Sequence, residues 1–121
     1  VSNIMEIKML KKPNNIKLPE YLITGKLCDG YDFCLVGFLL NEAGVPKEVL
    51  NKIPNEGYYC YNIDVEDGNI VYNVQEIMEK IYNINQEQLA CLMEKNDNYD
   101  LIERIDLLQK VLSNHDIKYY L

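Results

Sequence analysis

Along most of the 121 residues the apolar positions recur at helical spacing, and two segments depart from that pattern. In the first, Phe33, Leu35, Val36, Phe38, Leu39 and Leu40 leave almost no polar face, so residues 33–43 are predicted to form a helix buried nearly all round. Asp32 is its expected N-cap and Gly44 its expected left-handed stop. Pro46 suits the first turn of a short second helix from Lys47 to Ile53. Glycine inside a helix costs about 1 kcal/mol relative to alanine. Gly37 therefore predicts a neighbouring element packed too close for a side chain.

The second departure is YYCYNIDV. Strict alternation puts Tyr59, Tyr61, Ile63 and Val65 on one face of a strand and Tyr58, Cys60, Asn62 and Asp64 on the other. Pro54-Asn55-Glu56-Gly57 marks a turn before it, and Asp67-Gly68 suits the centre of a type I′ turn, so residues 58–72 read as an antiparallel hairpin.

Residues 74–114 return to helical spacing. Asn73 with Glu76, Asn85 with Gln88 and Asp100 with Glu103 each have the spacing of a capping box, and Ile84 with Leu89 that of a hydrophobic staple. The core stripes are Val74, Ile77, Met78 and Ile81, then Leu89, Leu92 and Met93, then Leu101, Ile105, Leu108 and Leu112. Glu103, Asp106 and Lys110 fall on the wet side of the last helix, with Asp106 and Lys110 a supportive i, i+4 pair. The helix is expected to fray near Asn114, and the tail IKYYL to add a strand to the hairpin.

Residues 1–30 are punctuated by Pro13, Pro19, Gly25 and Gly30 and read as an irregular approach. One short strand (Ile4 to Leu10) and one short helix after Pro19 are expected there. The whole, residues 1–121, is predicted to be one mainly helical α+β domain. It has four to five helices and a small antiparallel β-hairpin or three-stranded sheet.

Charge narrows the function. Twelve Lys+Arg against nineteen Asp+Glu give a net charge of −7, a surface that repels phosphate, so direct nucleic-acid binding and anionic membranes are not expected. Lys8, Lys11, Lys12 and Lys17 form the one local basic run, read as a solvated loop around Pro13-Asn14-Asn15. No apolar run approaches the ~20 residues of a membrane span, and the first twenty residues lack a signal-peptide pattern. A soluble, cytoplasmic protein is expected.

The four cysteines, at 28, 34, 60 and 91, contain no C-x-x-C pair. His115, the one histidine, has no cysteine within twenty residues, so neither a metal site nor a cofactor is predicted. Reduced, mostly buried thiols are expected instead, with Cys34 in the core and Cys28, between Gly25 and Gly30, the more accessible. A nucleophile needs an adjacent base. Cys28 or Cys91 with His115 and Asp116 is one such set on paper, yet no catalytic residue is assigned. P-loop, G-x-G-x-x-G and H-E-x-x-H patterns are missing.

The feature pointing to function is tyrosine beside acid. With Tyr59 and Tyr61 inward, Tyr58 faces outward beside Asn62 and Asp64, near Glu66 and Asp67, a composition suited to protein recognition. The expected function is a small acidic binding protein that covers a basic surface on a host or cognate protein. Tyr58, Asn62, Asp64, Glu66 and Asp67 on the hairpin and Glu103 and Asp106 on the last helix are its expected contacts. The alternative is a small enzyme or cofactor-binding protein using Cys28, Cys34 or His115 in a pocket.

Two stretches, ITGKLCDGYDFCLVGFLLNEAG and YNINQEQLACLMEKNDNYDLIERIDLL, carry a resemblance. Gly25 and Leu27, then Cys34, Leu35, Gly37 and Leu39, then Leu92, Asn96 and Asp97 resemble a pattern in small phage and bacterial proteins of unassigned function. There, a C-L-G-x-L-like helix is followed by L-x-x-x-N-D and an amphipathic helix. Val36 is an insertion relative to that pattern, and the hairpin is not part of it. The resemblance implies a phage or mobile-element origin and a mainly helical α+β domain, and no activity.

Overall fold

The computed structural model describes residues 9–53 and 62–121. Among these, nine elements follow in order: β1 (Asn15–Lys17), α1 (Leu35–Ala43), α2 (Lys47–Asn51), β2 (Asp64–Asp67), β3 (Ile70–Asn73), α3 (Val74–Tyr82), α4 (Gln86–Asn98), α5 (Leu101–Asn114) and β4 (Lys118–Tyr120). The class is α+β, mainly helical, with an antiparallel hairpin β2–β3 and a separate parallel pair β1–β4.

The buried helix is the centre of the molecule. Leu35, Val36, Leu39 and Leu40 are fully enclosed, and α1 packs against α3 and α4. Gly44 ends it at φ 116°, its N–H donating to the Asn41 carbonyl. Its start lies later than the sequence predicts. Asp32 cannot cap the helix because it is held in a turn, where its N–H donates to Asp29 Oδ1 and its carbonyl accepts from the Asp29 N–H. Phe33 then bridges Cys28, and Cys34 becomes the N-cap, its Sγ accepting from the Gly37 N–H at 3.3 Å.

The close approach expected at Gly37 is present. A Cβ built there would lie 2.0 Å from the Leu27 carbonyl oxygen, which itself accepts from the Cys34 N–H. The segment 18–34 is therefore an irregular layer clamped over the start of α1. It contains no helix after Pro19, because its backbone groups bond across the layer, as from Ile23 N–H to the Phe33 carbonyl. Most of the strand expected at Ile4–Leu10 lies outside the described residues. Met9 and Leu10 are not strand.

The helix α2 ends at Asn51 rather than Ile53, the N–H groups of Lys52 and Ile53 turning to the carbonyls three residues back, Val49 and Leu50. Pro46 is its N-cap, in an extended conformation. Of the hairpin expected over 58–72, Tyr58, Tyr59, Cys60 and Tyr61 lie outside the described residues. What is described pairs Asp64 with Asn73 through Asp67 with Ile70, so the turn centre is Gly68-Asn69, one residue later than predicted. Gly68 has φ 67° and Asn69 does not share the positive φ, which is the II′ pattern rather than I′.

Local signals in the last third are accurate. Asn85/Gln88 and Asp100/Glu103 form complete capping boxes. Asn73 caps α3 through the Glu76 N–H without the return bond from the Glu76 side chain, and its own side-chain amide donates to Asp64. Ile84 and Leu89 are both buried, as the staple requires. Tyr82, unremarked in the sequence, is buried with its hydroxyl donating to the Leu39 carbonyl. Burial, and then the nearby Glu42, push its pKa well up.

The tail does not join the hairpin. After a turn through Asp116 at φ 58°, β4 runs parallel to β1, with Ile16 opposite Tyr119. The side chain of Ile16 is fully buried, so β1 is fastened to the core from one face and offers the tail its free edge.

Candidate functional site

Among the expected contacts, the hairpin acids are partly occupied within the fold. Asp64 Oδ1 accepts from the Asn73 amide at 3.0 Å, and Asp67 pairs with Lys52 at 3.5 Å. Asn62 and Glu66 are exposed. Tyr58 lies outside the described residues.

The other two expected residues meet in a depression on the outer face of α5. Glu103 and Asp106 line it with Lys95, Tyr99, Leu107 and Lys110, around about 310 Å³. No depression described is lined by both hairpin and α5 acids. Glu103 is tied by its carboxylate to the Asp100 N–H at 3.2 Å. Asp106 and Lys110 do not close the expected ion pair, since Lys52–Asp67 is the one formed among the described residues. Both groups remain available to something outside.

Sequence reasoning missed Tyr99, Leu107 and Lys95. Glu103, Asp106 and Lys110 make one stripe on α5, but Tyr99 is extended at the junction between α4 and α5, so helical spacing does not join it to them. Tyr99 is the C-cap of α4, and its carbonyl accepts from Arg104 Nη1 at 2.9 Å. Arg104 is nearly buried and its Nε has no partner. It lies where the carbonyls at the end of α4 concentrate negative potential.

Most of the positions that carry the resemblance converge elsewhere, on the start of α1. Asn96, almost fully buried, accepts from the Leu35 N–H at 3.1 Å and donates to the Ile23 carbonyl at 2.9 Å. Asp97 accepts from the Gly25 N–H at 2.9 Å, while Gly37 admits Leu27 and Cys34 caps the helix. One amide thus satisfies an orphan N–H of a helix terminus and ties it to the overlying layer. This is a folding clamp.

Cys28 and Cys34 are both buried, so Cys28 is not the accessible thiol expected. Its position in the bridge to Phe33 encloses it. Cys91 is exposed. It lines a depression of about 230 Å³ with His115, over Ile84, Leu92 and Val111 and beside Gln88 and Asn114. His115 is the C-cap of α5 rather than a solvated tail residue. Burial and then Lys12 hold its imidazole below the usual pKa, against a smaller opposing pull from Asp116. Neither Cys28 nor Asp116 lines this depression. Among the described residues, no group of three or more His, Cys, Asp or Glu is placed to hold a metal ion, and no helix is long and apolar enough to cross a membrane. In comparisons with protein-family models, curated proteins and solved structures, nothing matches the chain.

Proposed function

We propose that the chain is a small acidic protein-binding module that modulates a host or cognate protein by covering a basic surface on it, with the α5 depression as its docking site. The observation that carries this reading is the grouping of two carboxylates, Glu103 and Asp106, with Tyr99 and Leu107 in one depression. Lys95 and Lys110 balance Glu103 and Asp106 within the depression, so attraction to a basic partner comes from the charge of the whole chain, while the ring of Tyr99 and the Leu107 side chain supply the apolar contact that slows departure. The net charge of −7 extends the attraction over about one Debye length, ~8–10 Å at physiological salt.

Capture from host lysate by wild-type chain and by Asp106→Lys tests this, followed by kinetics on the captured protein. Asp106 takes no part in a cap, so its exchange leaves the fold intact. Asp106→Lys should slow association and flatten its salt dependence. Tyr99→Ala should speed dissociation about ten-fold, or ~1.4 kcal/mol. Equal capture and unchanged kinetics in both variants would refute the site.

A second reading rests on the Cys91–His115 depression, where a thiol and a neutral imidazole share one apolar-floored cavity. There the chain would hold a small ligand. A compound screen read by the His115 ring resonances checks it, and resonances that no compound moves would exclude it.

A further inference from the structure

The β1–β4 pair is an unusual object to leave at a surface. Parallel strands normally lie inside larger, covered sheets, and a two-stranded ribbon is marginal alone. Here three residues pair with three. The register decides which amides are used. Lys118 N–H donates to the Asn14 carbonyl and Leu18 N–H to the Tyr120 carbonyl. In a parallel ladder this assigns both backbone groups of Lys118, Tyr120 and Ile16 to the pair, and turns those of Tyr119, Asn15 and Lys17 away.

The two outer edges differ. That of β1 carries Asn15 and Lys17 and is closed off by Pro19, the devices that blunt an edge. That of β4 presents the N–H and C=O of Tyr119. Two open depressions of about 420 and 600 Å³ meet at that residue, both also lined by Ser113. Three consecutive large apolar side chains are exposed along it, Tyr119 at 39%, Tyr120 at 51% and Leu121 at 93%.

We propose that this edge pairs with the same edge of a second copy of the chain, in antiparallel register across a two-fold axis at Tyr119. A single residue with both backbone groups turned outward is what such an axis requires. Each Tyr119 donates its N–H to the other's carbonyl, a closed hydrogen-bonded pair that uses both backbone groups Tyr119 turns outward. The register also matches charge, because Lys118 faces Tyr120 of the second copy and directly opposes no cation. The product is a four-stranded sheet, β1-β4-β4-β1. This inference does not rest on the α5 docking site, although the 420 Å³ depression beside Tyr119 shares Asp106 and Lys110 with it.

Analytical ultracentrifugation across a concentration series tests it. Wild type should dimerise. Tyr119→Pro removes an N–H that the β1–β4 pair does not use, so the melting temperature should hold. The dimer dissociation constant should rise about ten-fold or more as two hydrogen bonds are lost. Tyr120→Glu sets a carboxylate opposite Lys118 and should tighten the dimer, whereas Tyr120→Lys sets lysine opposite lysine and should weaken it. A wild type that stays monomeric at the highest concentrations reached overturns the proposal and leaves the edge to a strand from another protein. So does a dimer unaffected by Tyr119→Pro, or one equally tight with Glu and Lys at position 120.

Discussion

Replacing Gly37 by alanine sets a favourable local term against an unfavourable tertiary one. Helix propensity alone rewards the change by about 1 kcal/mol. Against it stands the Leu27 carbonyl. A Cβ at Gly37 would lie 2.0 Å from its oxygen and 2.9 Å from its carbon, where real Cβ contacts essentially never fall below 3.0 Å. Backbone must therefore retreat by about 1 Å, and Leu27 is not free to move. Its carbonyl holds the Cys34 N–H at 3.1 Å, and the same layer is fastened through Ile23 and Gly25 to Asn96 and Asp97. Overpacking of this kind costs about 1–3 kcal/mol and exceeds the propensity gain when a main-chain hydrogen bond stretches with it. The expected result in urea denaturation is a lower midpoint for Gly37→Ala at unchanged slope, and a larger drop for Gly37→Leu. A midpoint equal to or above wild type for Gly37→Ala would mean that the layer yields freely, and would refute the clamp.

Further outcomes follow from the same structure. Asn96→Ala should lower the melting temperature, at about 1–3 kcal/mol for each of the Leu35 and Ile23 groups left bare, and raise hydrogen exchange at the Leu35 amide. Tyr82→Phe should cost about 0.5–1.5 kcal/mol in denaturant unfolding, for the hydroxyl bond to Leu39. Among the thiols of the described residues, Cys91 should label first and Cys28 and Cys34 slowly, by mass-mapped alkylation, since only Cys91 is exposed. The pKa of His115 is lowered from 6.5 by folding, so the unfolded chain binds its proton more readily. The stability it contributes is present above pH 6.5 and lost as the pH falls through the folded value. Unfolding across that window should show the loss, and His115→Asn should flatten it.

What could be read from the residues was the local chemistry. Asn85/Gln88 and Asp100/Glu103 act within one helical turn, and Gly44 ends a helix through its own φ, so each was visible in a few letters. Gly37 was readable as a contradiction between residue type and context, although its partner, Leu27, was not. Asn96 carries a signal in its spacing as well. With Leu89, Leu92 and Met93 it completes an i, i+3, i+4, i+7 stripe, and a polar residue at a core position implies a buried hydrogen-bond partner. The β1–β4 pair left none, because three residues between two prolines have too little length for any period, and their partner lies at the far end of the described chain. Asp32 failed as a cap for a related reason: its groups were already engaged by Asp29, a contest that type preferences do not register. At the α5 depression, Glu103 and Asp106 were singled out by charge, whereas Tyr99 was hidden by its place at the junction of two helices.

The docking claim is tested most directly by acetylation footprinting of lysines in the free chain and in complex with the captured protein. Lys95 and Lys110 border the α5 depression, while Lys52 stands beside the hairpin. Binding should shield Lys95 and Lys110 and leave Lys52 as reactive as before. Shielding of Lys52 with Lys95 and Lys110 still reactive would contradict the account and move the interface to the hairpin.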